Sequence, residues 1–231
     1  MNKKGHFNLE RGFGVEIEFL RPTGIGKQDI ADNIVALTNA KCEVEGYNHI
    51  TRPHWKIVTD CSVNSNRSGY RGDNEIVSPI LYGQEGLEEL QGVLNVLNDM
   101  GCEVNYTCGI HVHHDVTDTV VRGKKEGQKF LMNLIKFVAK YEHLIYKMVS
   151  PSRLDSRRYS TPVRKEYFDV HFGDSITKTN VKTMVKRLAH DCNRKYSNGN
   201  EVASGQGSPN VQDSRACGLN LRNVWTRGSV E

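Results

Sequence analysis

Several features that would fix the class of this chain at once are missing from it. No apolar run in its 231 residues approaches the length needed to span a bilayer. The opening Met1-Asn2-Lys3-Lys4-Gly5-His6 leads into no apolar signal core, so a cytoplasmic protein without membrane attachment is the expectation. The six cysteines stand at 42, 61, 102, 108, 192 and 217 with no C-x-x-C, a scatter that fits reduced thiols and argues against a disulfide framework. The phosphate-cradling pattern G-x-x-x-x-G-K-[ST] does not occur, so any bound nucleotide must use another surface. Charge of one sign is scarce too. The net charge of +4 comes from 31 basic and 27 acidic residues spread along the chain, which suits an anionic substrate but is too small to indicate nucleic-acid binding. Internal repeats and a clear linker are also lacking, so a single domain over 1–231 is expected. With 37% hydrophobic and 25% charged residues, the chain can build a sizeable core of ordinary globular character.

The most informative stretch is Cys108-Gly109-Ile110-His111-Val112-His113-His114-Asp115-Val116. As a strand it alternates, with Ile110, Val112 and Val116 on one face and His111, His113 and Asp115 on the other. Two imidazoles at i, i+2 are close enough to share a metal ion or a phosphate, and Gly109 leaves room for a ligand beside the backbone. A half-buried strand that happens to be rich in histidine would show the same pattern. The rest of the chain therefore has to decide.

Gly12–Leu20 (GFGVEIEFL) alternates in the same way, with Phe13, Val15, Ile17 and Phe19 opposite Glu16 and Glu18. Two carboxylates on one strand face repel unless solvent, a cation or a basic group intervenes. The spacing of Ile30, Ile34 and Leu37 predicts a helix over 28–39. Strands follow at 55–60 and, beyond a Gly-, Ser- and Asn-rich loop, at 75–81, where Pro79 suits an edge or a bulge. Asp60 ends the first of these and Glu75 begins the second, near one rim. Leu87, Leu90, Leu94 and Leu97 mark a helix stopped by Gly101, and 102–106 is a further strand candidate. The longest helix is expected over 127–149. A basic loop, Arg153–Lys165, could grip phosphates or carboxylates. A short strand at 167–172, a helix capped by Thr179 and a polar, glycine-rich loop at 191–214 come next. Two short strands, at 218–221 and 228–231, close the chain.

Taken together, GVEIEF at 14–19, WKIVTDCSV at 55–63 leading to EIVSPIL at 75–81, CGIHVHHDV at 108–116, SRRYSTPV at 156–163 and RACGLNLRNVWTRGSVE at 215–231 resemble the amidoligase family. That family is a branch of the carboxylate–amine ligases similar to glutamine synthetase and glutamate–cysteine ligase. The resemblance implies an α+β fold: an antiparallel sheet curved into a half-barrel, like the catalytic domain of glutamine synthetase, with helices on the convex side. It implies ATP and Mg²⁺ or Mn²⁺ in the concave face, and an amide bond made through an acyl phosphate from small-molecule or peptide carboxylate and amine substrates. Carried over residue by residue, Glu16 and Glu18 match the metal-holding E-x-E strand and are catalytic. Glu75 matches a further metal ligand, His111 a metal- or substrate-facing histidine on the nucleotide side, and His113 a catalytic residue on nucleotide phosphate. Asn220 falls on the nucleotide side and Glu231 on the final-strand metal ligand. The family writes that strand E-F-R. The sequence here stops at Glu231, and Arg153, Arg157, Arg158 or Arg164 of the basic loop are the available replacements for the arginine, Arg158 and Arg164 being the expected catalytic ones.

The chemistry is consistent without the family. ATP and an acyl phosphate concentrate negative charge, and cations held by carboxylates offset it and align phosphoryl transfer. Oxygen ligands with few imidazoles favour Mg²⁺ or Mn²⁺. One alternative is a zinc hydrolase using His111, His113 and a third ligand from His114, Cys108 or His143, which leaves the carboxylates at 16, 18 and 75 unexplained. The other is a ligase fold kept as a binding module without turnover. The sequence specifies no oligomeric state.

Overall fold

A strand that alternates apolar and charged residues buries its apolar face, and the first strand, β1 (Phe13–Pro22), buries Val15, Ile17 and Phe19 in this way, with Glu18 and Leu20 enclosed on its other face as well. The computed structural model describes residues 11–117, 125–149, 218–221, 223–224 and 227–231. The chain forms two compact units, 1–114 and 115–231. Among the described residues there are six strands and three helices, so the α+β expectation holds.

In the first unit, β2 (Cys42–Val44), β3 (Trp55–Val58), β4 (Tyr70–Val77), β1 and β5 (Ile110–Asp115) lie side by side in that order. The pairs β3–β4, β4–β1 and β1–β5 are antiparallel, but β2 runs parallel to β3. The sheet is therefore mixed rather than antiparallel, and it is open rather than closed into a barrel. The segment 45–54 is the reason for the parallel pair, because it carries the chain back to the start of β3 instead of turning it in a hairpin.

Helices α1 (Lys27–Leu37) and α2 (Gly83–Asp99) cover the apolar face. Ile30, Ala31 and Ile34 from α1 and Val93, Val96 and Leu97 from α2 pack on Val15, Ile17, Phe19, Trp55, Ile57 and Ile76. Gly101, at φ +72°, ends α2 as expected. Several elements differ from the sequence reading. β4 starts at Tyr70 rather than Glu75 and stops before Pro79, which has no N–H for a ladder. Residues 102–106 form no strand; Glu103 alone bridges to Leu20, through hydrogen bonds of 2.7 and 2.9 Å. The short strand β2 carried too little apolar pattern to be read. On β5, Ile110 and Val112 share the face of Val15 and Ile17, but Ile110 is 63% exposed, so the core thins beneath that strand.

The β1–β4 pairing shifts register between Phe19 and Arg21, where Asp73 takes a left-handed φ of +62°. Asn74 plugs this irregularity. Fully buried, it donates its side-chain N–H groups to the carbonyls of Phe19, Arg71 and Gly72 at 2.7–3.1 Å and accepts from Arg21 Nε at 3.0 Å.

In the second unit, α3 (Lys125–Ile145) buries Leu131, Met132, Ile135, Ala139 and Glu142. The helix was expected to reach 149 but ends at Ile145, and Met148 beyond it is exposed. Val116 N–H donates to Gly228 O at 2.7 Å, and β6 (Ser229–Val230) follows; residues 218–221 are not a strand. Among the described residues no helix is long and apolar enough to cross a membrane. The basic loop with Arg153, Arg157, Arg158 and Arg164, the strand at 167–172, the Thr179-capped helix and the loop at 191–214 lie outside the described residues.

Removing the Asn74 amide takes its N–H groups from the carbonyls of Phe19, Arg71 and Gly72 and leaves Arg21 Nε without this acceptor. Asn74→Ala is expected to lower the unfolding free energy by about 2–3 kcal/mol in urea denaturation. A loss within about 0.5 kcal/mol, the range of an ordinary surface change, would contradict this role.

Candidate functional site

Opposite residues in an antiparallel pair project from the same face, so the register decides which charged side chains meet. Glu18 faces Glu75 across β1 and β4; Glu16 faces His111, and Gly14 faces His113, across β1 and β5. The face opposite α1 and α2 thus carries Glu16, Glu18, Glu75, His111 and His113 together: alternation paired Glu16 with Glu18 and His111 with His113, and the register brings both pairs and Glu75 to one face.

Glu18 is buried, and its Oε2 accepts the N–H of Gly109 at 2.6 Å. The expected space beside Gly109 is therefore taken by Glu18 rather than left for a ligand. A Cβ at 109 would lie 3.4 Å from Glu18 Oε2 and 3.3 Å from His111 Nε2. His111 Nε2 stands 3.9 Å from Glu18 Oε1, and His113 Nε2 stands 3.5 Å from Glu16 Oε1. Each glutamate of the E-x-E strand thereby has its own imidazole.

Asp60 joins this set from the end of β3. It accepts the N–H of Ser62 at 2.7 Å through Oδ1, which orients its carboxylate. One oxygen from each of Glu18, Asp60 and Glu75 lies within 4.8 Å of the other two. Burial, and then the charges of Glu16, Asp60 and Glu18, push Glu75 up to about 7, with His111 opposing. Burial also acts to raise Glu16, but hydrogen bonding and charge from His113, followed by the charges of His111 and His49, outweigh it and hold Glu16 below the usual range. Neighbouring carboxylates are therefore pulled apart, one kept ionised by imidazoles and one holding its proton near neutrality.

The remaining predicted residues fall elsewhere. Asn220 and Glu231 are partners in the second unit: Asn220 Nδ2 donates to Glu231 Oε2 at 2.7 Å, and their backbones exchange bonds of 2.7 and 3.0 Å. Arg158 and Arg164 lie outside the described residues. For the zinc alternative, His114 opposes Phe13 on the other face of the sheet, Cys108 is buried with its thiol 3.6 Å from Asn105 Oδ1, and His143 is exposed on α3. Among the described residues no group of three ligand atoms includes His111 or His113. A second cluster, Glu43, Glu45 and His54, is already compensated, because Arg52 grips both oxygens of Glu45 at 2.9 and 3.1 Å. Asp60 is the residue that sequence reasoning placed at the rim and did not count as a ligand. Its signal was an acidic residue closing an apolar strand beside the strand that carries Glu75.

A helix-backed α+β sheet with buried carboxylates and imidazoles on its other face has the donor set of an enzyme that works with divalent cations and anionic groups. The chain belongs to the amidoligase family: the family model described as "Putative amidoligase enzyme" matches residues 9–231, and the family is one of ligase-type enzymes. Neither a curated protein nor a solved structure matches the chain.

Glu75 is neutral in the folded protein up to about pH 7, whereas its ordinary value is 4.5. Its contribution to stability is thus present below pH 4.5 and is lost as pH rises to 7. Glu75→Gln mimics the neutral form. The substitution is expected to stabilise the metal-free protein by up to about 3 kcal/mol at pH 8, discounted for partial exposure, and to have little effect at pH 4.5. Denaturant midpoints at the two pH values check this; equal effects at both would contradict it.

Proposed function

We propose that this protein is an ATP-dependent carboxylate–amine ligase that forms an amide bond through an acyl phosphate, on a half-barrel scaffold of the glutamine synthetase type. The observation that carries this reading is the convergence of Glu18, Asp60 and Glu75 on the same face as the Glu16–His113 and His111–Glu18 pairs. Three hard oxygen donors crowded together, with Glu75 kept protonated near neutrality first by burial and then by the charges of Glu16, Asp60 and Glu18, fit Mg²⁺ or Mn²⁺. Glu18, Asp60 and Glu75 would hold the cation, with Glu16, His111 and Glu231 as the further ligands that the family resemblance assigns. When bound, such an ion screens phosphate charge and aligns the transferring phosphoryl group.

The protein's own part is to bind and orient. His113, paired with the ionised Glu16, is proposed to contact nucleotide phosphate, and His111, beside Glu18, to face metal or substrate. Asn220 is proposed on the nucleotide side, where it also fixes the Glu231 carboxylate. Arg158 and Arg164 are proposed to neutralise the acyl phosphate and the leaving phosphate. The substrates in this reading are a small-molecule or peptide carboxylate and an amine.

Calorimetry of ATP binding with and without Mn²⁺ tests the reading. ATP is expected to bind at least about tenfold more tightly with Mn²⁺, Asp60→Asn and Glu18→Gln to abolish that gain, and His113→Ala to weaken binding more than His114→Ala. Equal ATP affinity with and without Mn²⁺ would overturn the assignment. A scan of amino-acid pairs for ADP release then identifies the substrates.

A further inference from the structure

Lys27 stands in the first turn of α1, yet its ammonium is used inside the protein. It donates to the Val58 carbonyl at 3.2 Å, to Thr59 Oγ1 at 2.9 Å and to the Asp73 carbonyl at 2.8 Å, which matches the three N–H groups that an ammonium owns. The Asp73 carboxylate lies 3.8 Å away, and the Lys27 side chain is only 15% exposed. Burial lowers the pKa of this lysine, and the Asp73 charge acts against that shift.

The three acceptors are not scattered. Val58 and Thr59 immediately precede Asp60, and Asp73 stands two residues before Glu75. The Asp60 N–H donates, at 3.3 Å, to the same Asp73 carbonyl that Lys27 holds, and the Asp73 N–H donates to Val63 O at 2.9 Å. Asp73 is the only described non-glycine residue with a positive φ. At Gly72 a Cβ would come within 2.3 Å of the Val63 carbonyl oxygen. The two segments that deliver Asp60 and Glu75 thus cross in close contact, with a left-handed residue at the crossing and one cation pinning both sides.

We infer that Lys27 is a positioning residue for the cation site: by joining residues 58–59 to Asp73 it holds the Asp60 and Glu75 carboxylates together. This rests on the proposed reading of Glu18, Asp60 and Glu75 as the ligands of a divalent cation. A lysine that only stabilised the fold would change the melting temperature and leave the metal affinity of the folded protein unchanged.

The test uses the full chain with Mn²⁺ alone as probe, followed by calorimetry and by the Mn²⁺ electron paramagnetic resonance line shape. Wild type is expected to bind Mn²⁺ and Asp60→Asn to lose it. Lys27→Met, with an unchanged circular dichroism spectrum, is expected to bind about tenfold or more weakly with an altered line shape, and Lys27→Arg to recover part of the affinity. Thr59→Val keeps the cation and removes one acceptor, so it tests the same idea if Lys27→Met does not fold; an affinity loss of about threefold is expected, at the mild end of such indirect effects. Wild-type Mn²⁺ affinity in every folded variant of Lys27 and Thr59, with Asp60→Asn defective, would overturn the positioning role alone. Failure of wild type to bind Mn²⁺, or wild-type affinity in Asp60→Asn, would overturn the cation reading and this inference with it.

Discussion

Glu18 and Glu75 sit directly across from each other on adjacent strands, with Asp60 beside them. Like charges in that position destabilise a sheet, and partial burial strengthens the repulsion. Everything else in the first unit works against the separation that this repulsion favours. The apolar face of the same strands packs on α1 and α2, with Phe19, Trp55, Ile57 and Ile76 almost fully enclosed, so β1, β3 and β4 cannot part without exposing the core. The sheet can hold this carboxylate cluster on one side because its other side is sealed.

Relief of the repulsion is local and graded. Glu16 and Glu18 each stand beside an imidazole, whereas Glu75 keeps its proton to about pH 7. Hydrogen-bonded pins set the distances. Gly109 fixes Glu18 through its N–H, Asn74 plugs the β1–β4 irregularity just before Glu75, and Lys27 joins the approaches to Asp60 and Glu75. None of these pins is itself a carboxylate of the cluster. They make the electrostatic arrangement one geometry rather than a range of them.

Much of this could be read from the sequence because strand alternation is a strong signal. The pattern of GVEIEF placed Glu16 and Glu18 on one strand face and that of GIHVHHD placed His111 and His113 on one strand face, and the register joins these into a single face. What stayed hidden depends on tertiary pairing. β2 is three residues long and gains its order from β3, so it has no periodicity of its own. The start of β4 at Tyr70 was masked by a run of loop-forming residues whose strand geometry comes from β1 and from the Asn74 plug. Asp60 follows the end of β3, and only the meeting of that end with the middle of β4 makes it a member of the cluster. The family resemblance, carried by short islands in order, extends across nearly the whole chain, as the family match does.

The central claim is that Glu18, Asp60 and Glu75 form a divalent-cation site. Crystals of the protein soaked in Mn²⁺ at pH 8, where Glu75 is ionised, test it most directly through the anomalous scattering of manganese. The account predicts one strong anomalous peak at about 2.1–2.3 Å from a carboxylate oxygen of each of these three residues. A peak held instead by His111 and His113 without Asp60, or no peak on this face at saturating Mn²⁺, would contradict it.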